Sequence, residues 1–147
     1  GIDFNEHAVE FAKNLLKEKG LEADVRVGDV MDLPFEENKF DLILDRACLQ
    51  HNRPEEVRKI MGEVERVLKP GGLFMLVNFR SSEDSAAKGL ENDTTFDSYD
   101  YVNFATEEEI KEYLQNFEFE YFEHRVSHKK VPVENIHATY IIVARKK

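Results

Sequence analysis

The sequence predicts an α/β fold built on a mostly parallel sheet. Segments with helical spacing alternate with short apolar runs along most of the chain. Two of those runs, FDLILD (40–45) and LFMLVNF (73–79), are apolar on both faces, as strands covered on both sides are. The connection between the last two strand-like runs is short enough for an antiparallel pair.

The elements follow in order. Gly1 to Phe4 reads as the end of a strand. Asn5 is a helix N-cap, and Glu6 to Lys19 follow with Val9, Ala12, Leu15 and Leu16 as the buried stripe. Gly20 ends that helix. ADVRV (23–27) alternates like a short strand, and GDVMDLPF (28–35) is a loop. FDLILD is a buried strand. A helix begins at Pro54, with Glu55 and Glu56 at its positive end, and runs to Leu68. KPGG (69–72) is a sharp turn, with Pro and Gly where a turn wants them. LFMLVNF is the next strand. Residues 80–105 form a polar, irregular loop. Thr106 and Glu109 make a capping box before a helix to about Asn116. FEFEYFEHRV (117–126) and HATYIIVAR (137–145) are the final strand pair.

Composition narrows the function. The 147 residues suit one domain, and 41% hydrophobic residues suit a packed core. A net charge of −10 disfavours phosphate backbones, so nucleic acid is not an expected partner. The single cysteine, Cys48, fits a reducing, cytoplasmic location. No apolar run is long enough to cross a bilayer, so no membrane partner is expected. Abundant Glu and Lys hint at a heat-adapted source.

Three acidic residues fall at or just beyond strand ends: Asp3, Asp29 and Asp45. Open parallel sheets bind ligands beyond the carboxyl ends of their strands. Asp3 is placed to accept from both hydroxyls of a ribose. Asp29 is placed to accept from an exocyclic amine, and the Val30 N–H to donate to a ring nitrogen. Asp45, across the cleft, can meet a cationic or amino group. Together these describe a nucleoside pocket. Each residue has a plainer reading too: Asp3 as a helix-start acid, Asp29 and Asp45 as turn residues.

The run GIDFNEHAVEFAK, then VRVGDVMDLPFEENKFDLILD, then VLKPGGLFMLVNF resembles the class I S-adenosylmethionine-dependent methyltransferases across nearly the whole chain. The resemblance implies a Rossmann-like, three-layer α/β/α fold with strand order 3-2-1-4-5-7-6 and strand 7 antiparallel. It implies S-adenosyl-L-methionine as cofactor and S-adenosyl-L-homocysteine as product. Asp3 would bind the cofactor ribose, Phe4 would flank the adenine, and Asp29 and Val30 would read the adenine edge. Asp45 and the residues after it would line the methionine end. The loop and tail look most like small-molecule methyltransferases of the tellurite-resistance and thiopurine type. The family's first strand and its D-x-G-x-G-like loop would precede Asp3 and have no counterpart here. The expectation is therefore an N-terminally incomplete domain with an exposed edge on FDLILD. That edge would be met by a homo-oligomer or by a complementing N-terminal segment.

Other candidates are weaker. His51 is a candidate base or substrate contact, since family members often place residues of this segment over the methyl group. Cys48 and His51 are three apart, but no third group completes a nucleophilic set. In the 80–105 loop, Arg80, Tyr99, Asp100, Tyr101 and Phe104 are candidates for a small polar or aromatic substrate. His124 and His128 share a strand face but lack a third metal ligand, so a surface reading is preferred and no metal is expected. Two rival functions remain: a dinucleotide oxidoreductase, and a non-catalytic module that binds a partner through its exposed strand edge.

Overall fold

The computed structural model describes residues 1–87, 95–96, 100–130 and 134–147. Strand β1 (Ile2–Asp3) leads into α1 (Glu6–Glu18). Asn5 caps α1, its side chain accepting from the His7 and Ala8 N–H groups at 2.9 and 3.2 Å. Gly20, at φ +65°, turns the chain away. Strand β2 (Arg26–Val27) pairs in parallel with β1. Then come β3 (Phe40–Arg46), a short 3-10 turn (Leu49–His51), α2 (Pro54–Val67) and β4 (Leu68–Arg80). Strands β5 (Thr95–Phe96) and β6 (Asp100–Tyr101) form a small antiparallel pair. Helix α3 (Glu107–Tyr113) opens with the capping box, Thr106 N donating to Glu109 at 2.8 Å and Glu109 N to Thr106 Oγ1 at 3.2 Å. Strands β7 (Phe117–Lys129) and β8 (Asn135–Lys146) close the chain.

The main sheet has the order β3-β4-β8-β7. Strands β3 and β4 are parallel, and β8 runs antiparallel to both its neighbours. This matches the 4-5-7-6 half of the expected order, and the β1-β2 pair matches its 2-3 half. Among the described residues the two halves are not hydrogen-bonded to one another. One face of the main sheet carries the core. Val57, Ile60, Met61 and Val64 of α2 and Ile110, Tyr113 and Leu114 of α3 pack on Phe74, Leu76, Phe79, Tyr140 and Ile142. On β3, Leu42 and Leu44 stay 51% and 59% exposed, and α1 packs chiefly on β1 and β2.

Three expectations need correction. The stripe of α1 is only partly covered: Val9 is buried, Ala12 and Leu16 are half-buried, and Leu15 is exposed. Its only sheet is the two-residue β1-β2 ladder, which is too small to cover a whole helical face. The strand expected over 23–27 shrinks to Arg26–Val27 for the same reason: β1 offers it a partner at Ile2 and Asp3 alone. KPGG does not separate helix from strand. It is a bulge inside β4, where Phe40 pairs with Leu68 but Leu42 pairs with Leu73. Gly71, at φ +74°, supplies the left-handed residue the bulge needs.

Candidate functional site

Strands β1, β2 and β3 end at one cavity of about 930 Å3. Its walls include Asp3 and Phe4 after β1, Gly28 to Met31 after β2, and Asp45 to Leu49 with His51 after β3. Along its length it exposes β3 from Phe40 on, with Ile60, Val64 and Phe74 as an apolar floor. The cavity is therefore polar at its carboxyl end and largely apolar along β3 and its floor, with Asp24 and Lys39 at the other end. A smaller depression of about 470 Å3 lies at the end of α1, around Lys13, Leu16 and Gly20, and touches none of these groups.

Gly28 sets how closely β1 and β2 approach. Its N–H donates to the Asp3 carbonyl at 3.0 Å, and a side-chain carbon at this position would stand 3.2 Å from Ile2 Cγ2. The Asp3 carboxylate takes the Asn5 N–H on Oδ1 at 2.8 Å, and no cation pairs with it among the described residues. The Asp29 carboxylate takes the Met31 N–H on Oδ1 at 2.8 Å. The Val30 N–H donates to no group among the described residues. Each carboxylate thus has one oxygen fixed locally and one left for a ligand. The Phe4 ring is 82% exposed at the rim. The plainer reading of Asp3 and Asp29 as turn acids is geometrically true as well, and the two roles use different oxygens.

Asp45 sits where β3 breaks. Ala47 adopts φ +63°, an uncommon conformation for a residue with a side chain, and its N–H reaches across to the Val77 carbonyl at 3.1 Å. The turn brings the Cys48 and Leu49 N–H groups onto Asp45 Oδ1 at 3.2 and 3.3 Å. Burial pushes the Asp45 carboxyl up to about 6, against the pull of the Leu49 and Cys48 N–H groups and the His51 imidazole. Burial, with the charges of Asp45 and Asp3, pushes the Cys48 thiol up to about 11. Cys48 therefore stays a thiol at neutral pH and is no nucleophile.

His51 lines the same cavity, but both ring nitrogens are engaged. Nδ1 lies 3.3 Å from the Tyr101 carbonyl oxygen, which can only accept, so Nδ1 carries the proton. Nε2 lies 3.2 Å from the Gln50 side-chain nitrogen and accepts from it. Tyr101 is thus brought to the site through its backbone, while its ring lies under the Arg53 guanidinium. Asn103 N donates to the Gln50 carbonyl at 2.7 Å and ties this segment to the turn after β3.

Arg80 is not at the cavity. Its guanidinium pairs with the buried Asp84 at 3.2 Å, touches His137 and lies over the Phe104 ring. Tyr99 lies outside the described residues. The surface reading of His124 is corrected: its ring stacks on Tyr140 at 4.7 Å, and Nε2 lies 2.9 Å from the buried Ser81 hydroxyl. Among the described residues no His, Cys, Asp and Glu group of metal-binding geometry occurs.

The fold is an α/β domain with an acidic cavity at its strand ends, and comparison with known proteins makes its family specific. The methyltransferase domain family matches residues 1–120, and the chain belongs to that family, in its class I, Rossmann-like branch. A solved S-adenosylmethionine-dependent methyltransferase from Methanosarcina mazei superposes with a TM-score of 0.74 at 26% identity, covering 99% of this chain and 80% of that one. The uncharacterised methyltransferase YcgJ of Bacillus subtilis is 41% identical over 86 residues, 57% of this chain and 33% of its own. Norajmaline N-methyltransferase of Rauvolfia serpentina is 33% identical over 81 residues, 54% of this chain and 27% of its own. The chain thus aligns with about a third of the length of these curated relatives. The family's cofactor is S-adenosyl-L-methionine. The donor set suits it: two carboxylates with a free oxygen each, a free N–H, and an aromatic rim.

Proposed function

We propose that this chain binds S-adenosyl-L-methionine and takes part in methyl transfer to a small-molecule acceptor in the cytoplasm. The observation that carries this reading is the gathering of Asp3, Asp29, Val30 and Asp45 on one cavity at the carboxyl ends of β1, β2 and β3. Asp3 holds the ribose hydroxyls through its free oxygen. Phe4 covers one face of the adenine, Asp29 takes its exocyclic amine, and the Val30 N–H meets a ring nitrogen. Asp45 lines the methionine end. Once bound, the cofactor supplies an activated sulfonium methyl, so the residues around it chiefly hold, align and dehydrate. His51 lines the acceptor side of the same cavity, and the Tyr101 carbonyl holds its ring.

The same cavity supports a reading of how the site is completed. Among the described residues strand β3 has β4 on one side and no strand on the other, and its exposed Leu42 and Leu44 border the cavity beside β1. A further parallel strand laid between β1 and β3 would join the two sheets and cover this edge. That strand is contributed by a second copy or by a complementing segment.

Calorimetric titration with S-adenosyl-L-homocysteine tests both readings. The chain is expected to bind, and Asp3→Ala to weaken binding by at least about tenfold, since a charged acceptor facing two hydroxyls is lost. Absence of binding at every chain concentration would refute the cofactor reading. Binding by a chain that sediments as a lone monomer would refute the need for an added strand.

A further inference from the structure

Methyl transfer to a protonated acceptor leaves a proton to be placed, and the cavity holds two groups that could take it. His51 is the obvious one by residue type. Its Nδ1–H, however, is committed to the Tyr101 carbonyl, and its Nε2 lone pair to the Gln50 amide. To act as a base it would have to break the bond to Gln50, a side chain that is 91% buried and whose own oxygen has no partner. Asp45 is differently placed. Its Oδ1 is held by the Cys48 and Leu49 N–H groups, while Oδ2 has only a 3.5 Å approach from Leu49 N. No Lys or Arg pairs with it among the described residues, so one oxygen of a half-buried carboxylate is open to the cavity.

The surroundings of Asp45 decide what that oxygen prefers. Asp3 approaches from β1, Cys48 and His51 from the turn, and Arg46 follows along β3. Helix α2 and strand β4 contribute the apolar Ile60, Val64, Val67 and Phe74, while Asp24, Asp29 and Lys39 line the same cavity from the segments around β2 and before β3. The Cys48 thiol is pushed up by burial, and both ring nitrogens of His51 are engaged, by the Gln50 side chain and the Tyr101 carbonyl. A carboxylate in such a wall gains from a cation that enters with the ligand, and an alcohol or thiol brings none.

We propose that Asp45 is the group that receives the acceptor's proton, and that the acceptor is an amine which enters as its ammonium ion against this carboxylate. The inference rests on the cofactor reading above and names the substrate class of the same site. The step is a single proton transfer. One N–H bond of the ammonium breaks, an O–H bond forms on Asp45 Oδ2, and the nitrogen keeps the electron pair it needs for attack. The charged pair becomes a neutral amine and a neutral acid, which a low-dielectric wall favours. The usual pH of a cytosol lies close enough to the Asp45 titration near 6 for the proton to be taken and later released. Gln50 and the Tyr101 carbonyl are positioning groups that hold the His51 ring in place.

Sinefungin tests this without a known acceptor. It is the cofactor analogue in which a carbon bearing a protonated amine replaces the sulfonium and its methyl, so its ammonium stands where the acceptor nitrogen approaches. Calorimetry would compare it with S-adenosyl-L-homocysteine, which has no charge there, on the whole chain. Sinefungin is expected to bind about tenfold tighter or more well above pH 6, as a charge-assisted hydrogen bond allows. The preference should fade as Asp45 protonates below about pH 6. In Asp45→Asn, which keeps the Oδ1 acceptor for Cys48 and Leu49, the two ligands should bind alike, while His51→Gln should retain the preference. Equal binding by the unaltered chain, or a preference that survives Asp45→Asn, overturns the proposal. So does loss of both ligands in Asp45→Asn, which would assign the residue to holding the cofactor. Failure of both ligands on the unaltered chain would instead sink the cofactor reading, and this inference with it.

Discussion

The Glu63 carboxylate and the Arg66 guanidinium meet at 2.7 Å on α2, and the pair reaches down to the loop that follows β2. Glu63 accepts the Leu33 N–H at 2.7 Å. Arg66 donates to the Leu33 carbonyl at 2.9 Å and the Phe35 carbonyl at 2.7 Å. One ion pair thus satisfies three backbone groups of the segment that begins with Asp29 and Val30. The planar guanidinium can serve two carbonyls and a carboxylate at once, and an ammonium cannot. Arg66→Ala is expected to lower stability, because two carbonyls and the Glu63 carboxylate lose their charged donor. It should also weaken S-adenosyl-L-homocysteine binding through the adenine side of the site. Arg66→Lys should recover less than half of either loss. Thermal unfolding and calorimetry would measure both, and full recovery by lysine would refute the role of the fork.

Two glycines make opposite predictions. Gly62 lies exposed in the middle of α2 with open space around the place a side chain would take. Gly62→Ala is expected to stabilise the chain by about 0.5–1 kcal/mol, because alanine has less backbone freedom to lose in a helix. Gly72 lies in the β4 bulge, where an added carbon would stand 2.9 Å from the Lys69 carbonyl oxygen and from two carbons of Leu68. Leu68 is fully buried and a backbone oxygen cannot swing away. Gly72→Ala should therefore cost about 1–3 kcal/mol. Denaturant midpoints would decide, and a Gly72→Ala chain as stable as the unaltered one would show that the bulge relaxes freely.

These two glycines also show what could be read from the sequence. The helix caps at Asn5 and Thr106, strands β3 and β4, and the antiparallel β7-β8 pair were legible, because each depends on local spacing or residue type, but the burial expected of β3 is not found, since Leu42 and Leu44 are exposed. Asp3, Asp29 and Asp45 were legible because a strand's carboxyl end is a local feature. The bulge was not: KPGG has the chemistry of a turn, and only the pairing of β3 with β4 across it makes it part of a strand. The partners of His51 were equally hidden. Gln50 is its neighbour in sequence, but the Tyr101 carbonyl comes from a segment 50 residues away. Ala47 carries no sign of its left-handed backbone. The Glu63–Arg66 spacing reads as an ordinary helical ion pair, and its carbonyl partners lie about 30 residues off.

Arg80 separates a substrate role from a structural one. Its partner Asp84 is 3% exposed and also accepts the Ala86 and Ala138 N–H groups at 2.9 Å each. That carboxylate anchors the end of β4 to β8, and Arg80 supplies a positive charge beside it. Arg80→Ala is expected to destabilise the chain by about 1–3 kcal/mol through the poorly compensated acid, since His137 remains as a partial partner. Affinity for S-adenosyl-L-homocysteine should stay within about twofold, because the guanidinium does not border the cavity. A stable Arg80→Ala chain with weakened ligand binding would return Arg80 to the substrate side.

Asp45 predicts an unusual pH dependence of stability. Its folded carboxyl titrates at about 6 against an ordinary 3.8, chiefly because of burial. Below about pH 3.8 both states are protonated and the group has no effect. Between those values the folded chain holds the proton while the unfolded chain has released it. The native state then binds more protons, so stability falls as pH rises. Above about pH 6 both states are ionised and the loss is complete. One pKa unit corresponds to about 1.4 kcal/mol, so the loss is about 2–3 kcal/mol. Other carboxylates in ion pairs pull the opposite way over the same range, so the test is a difference. Urea unfolding of the unaltered chain and Asp45→Asn should be compared at steps from pH 4 to pH 7. Asp45→Asn is expected to gain relative stability steadily across that window and to level off above it. A flat difference would mean that Asp45 titrates as an ordinary solvated acid, and that the wall around it is wetter than its burial implies.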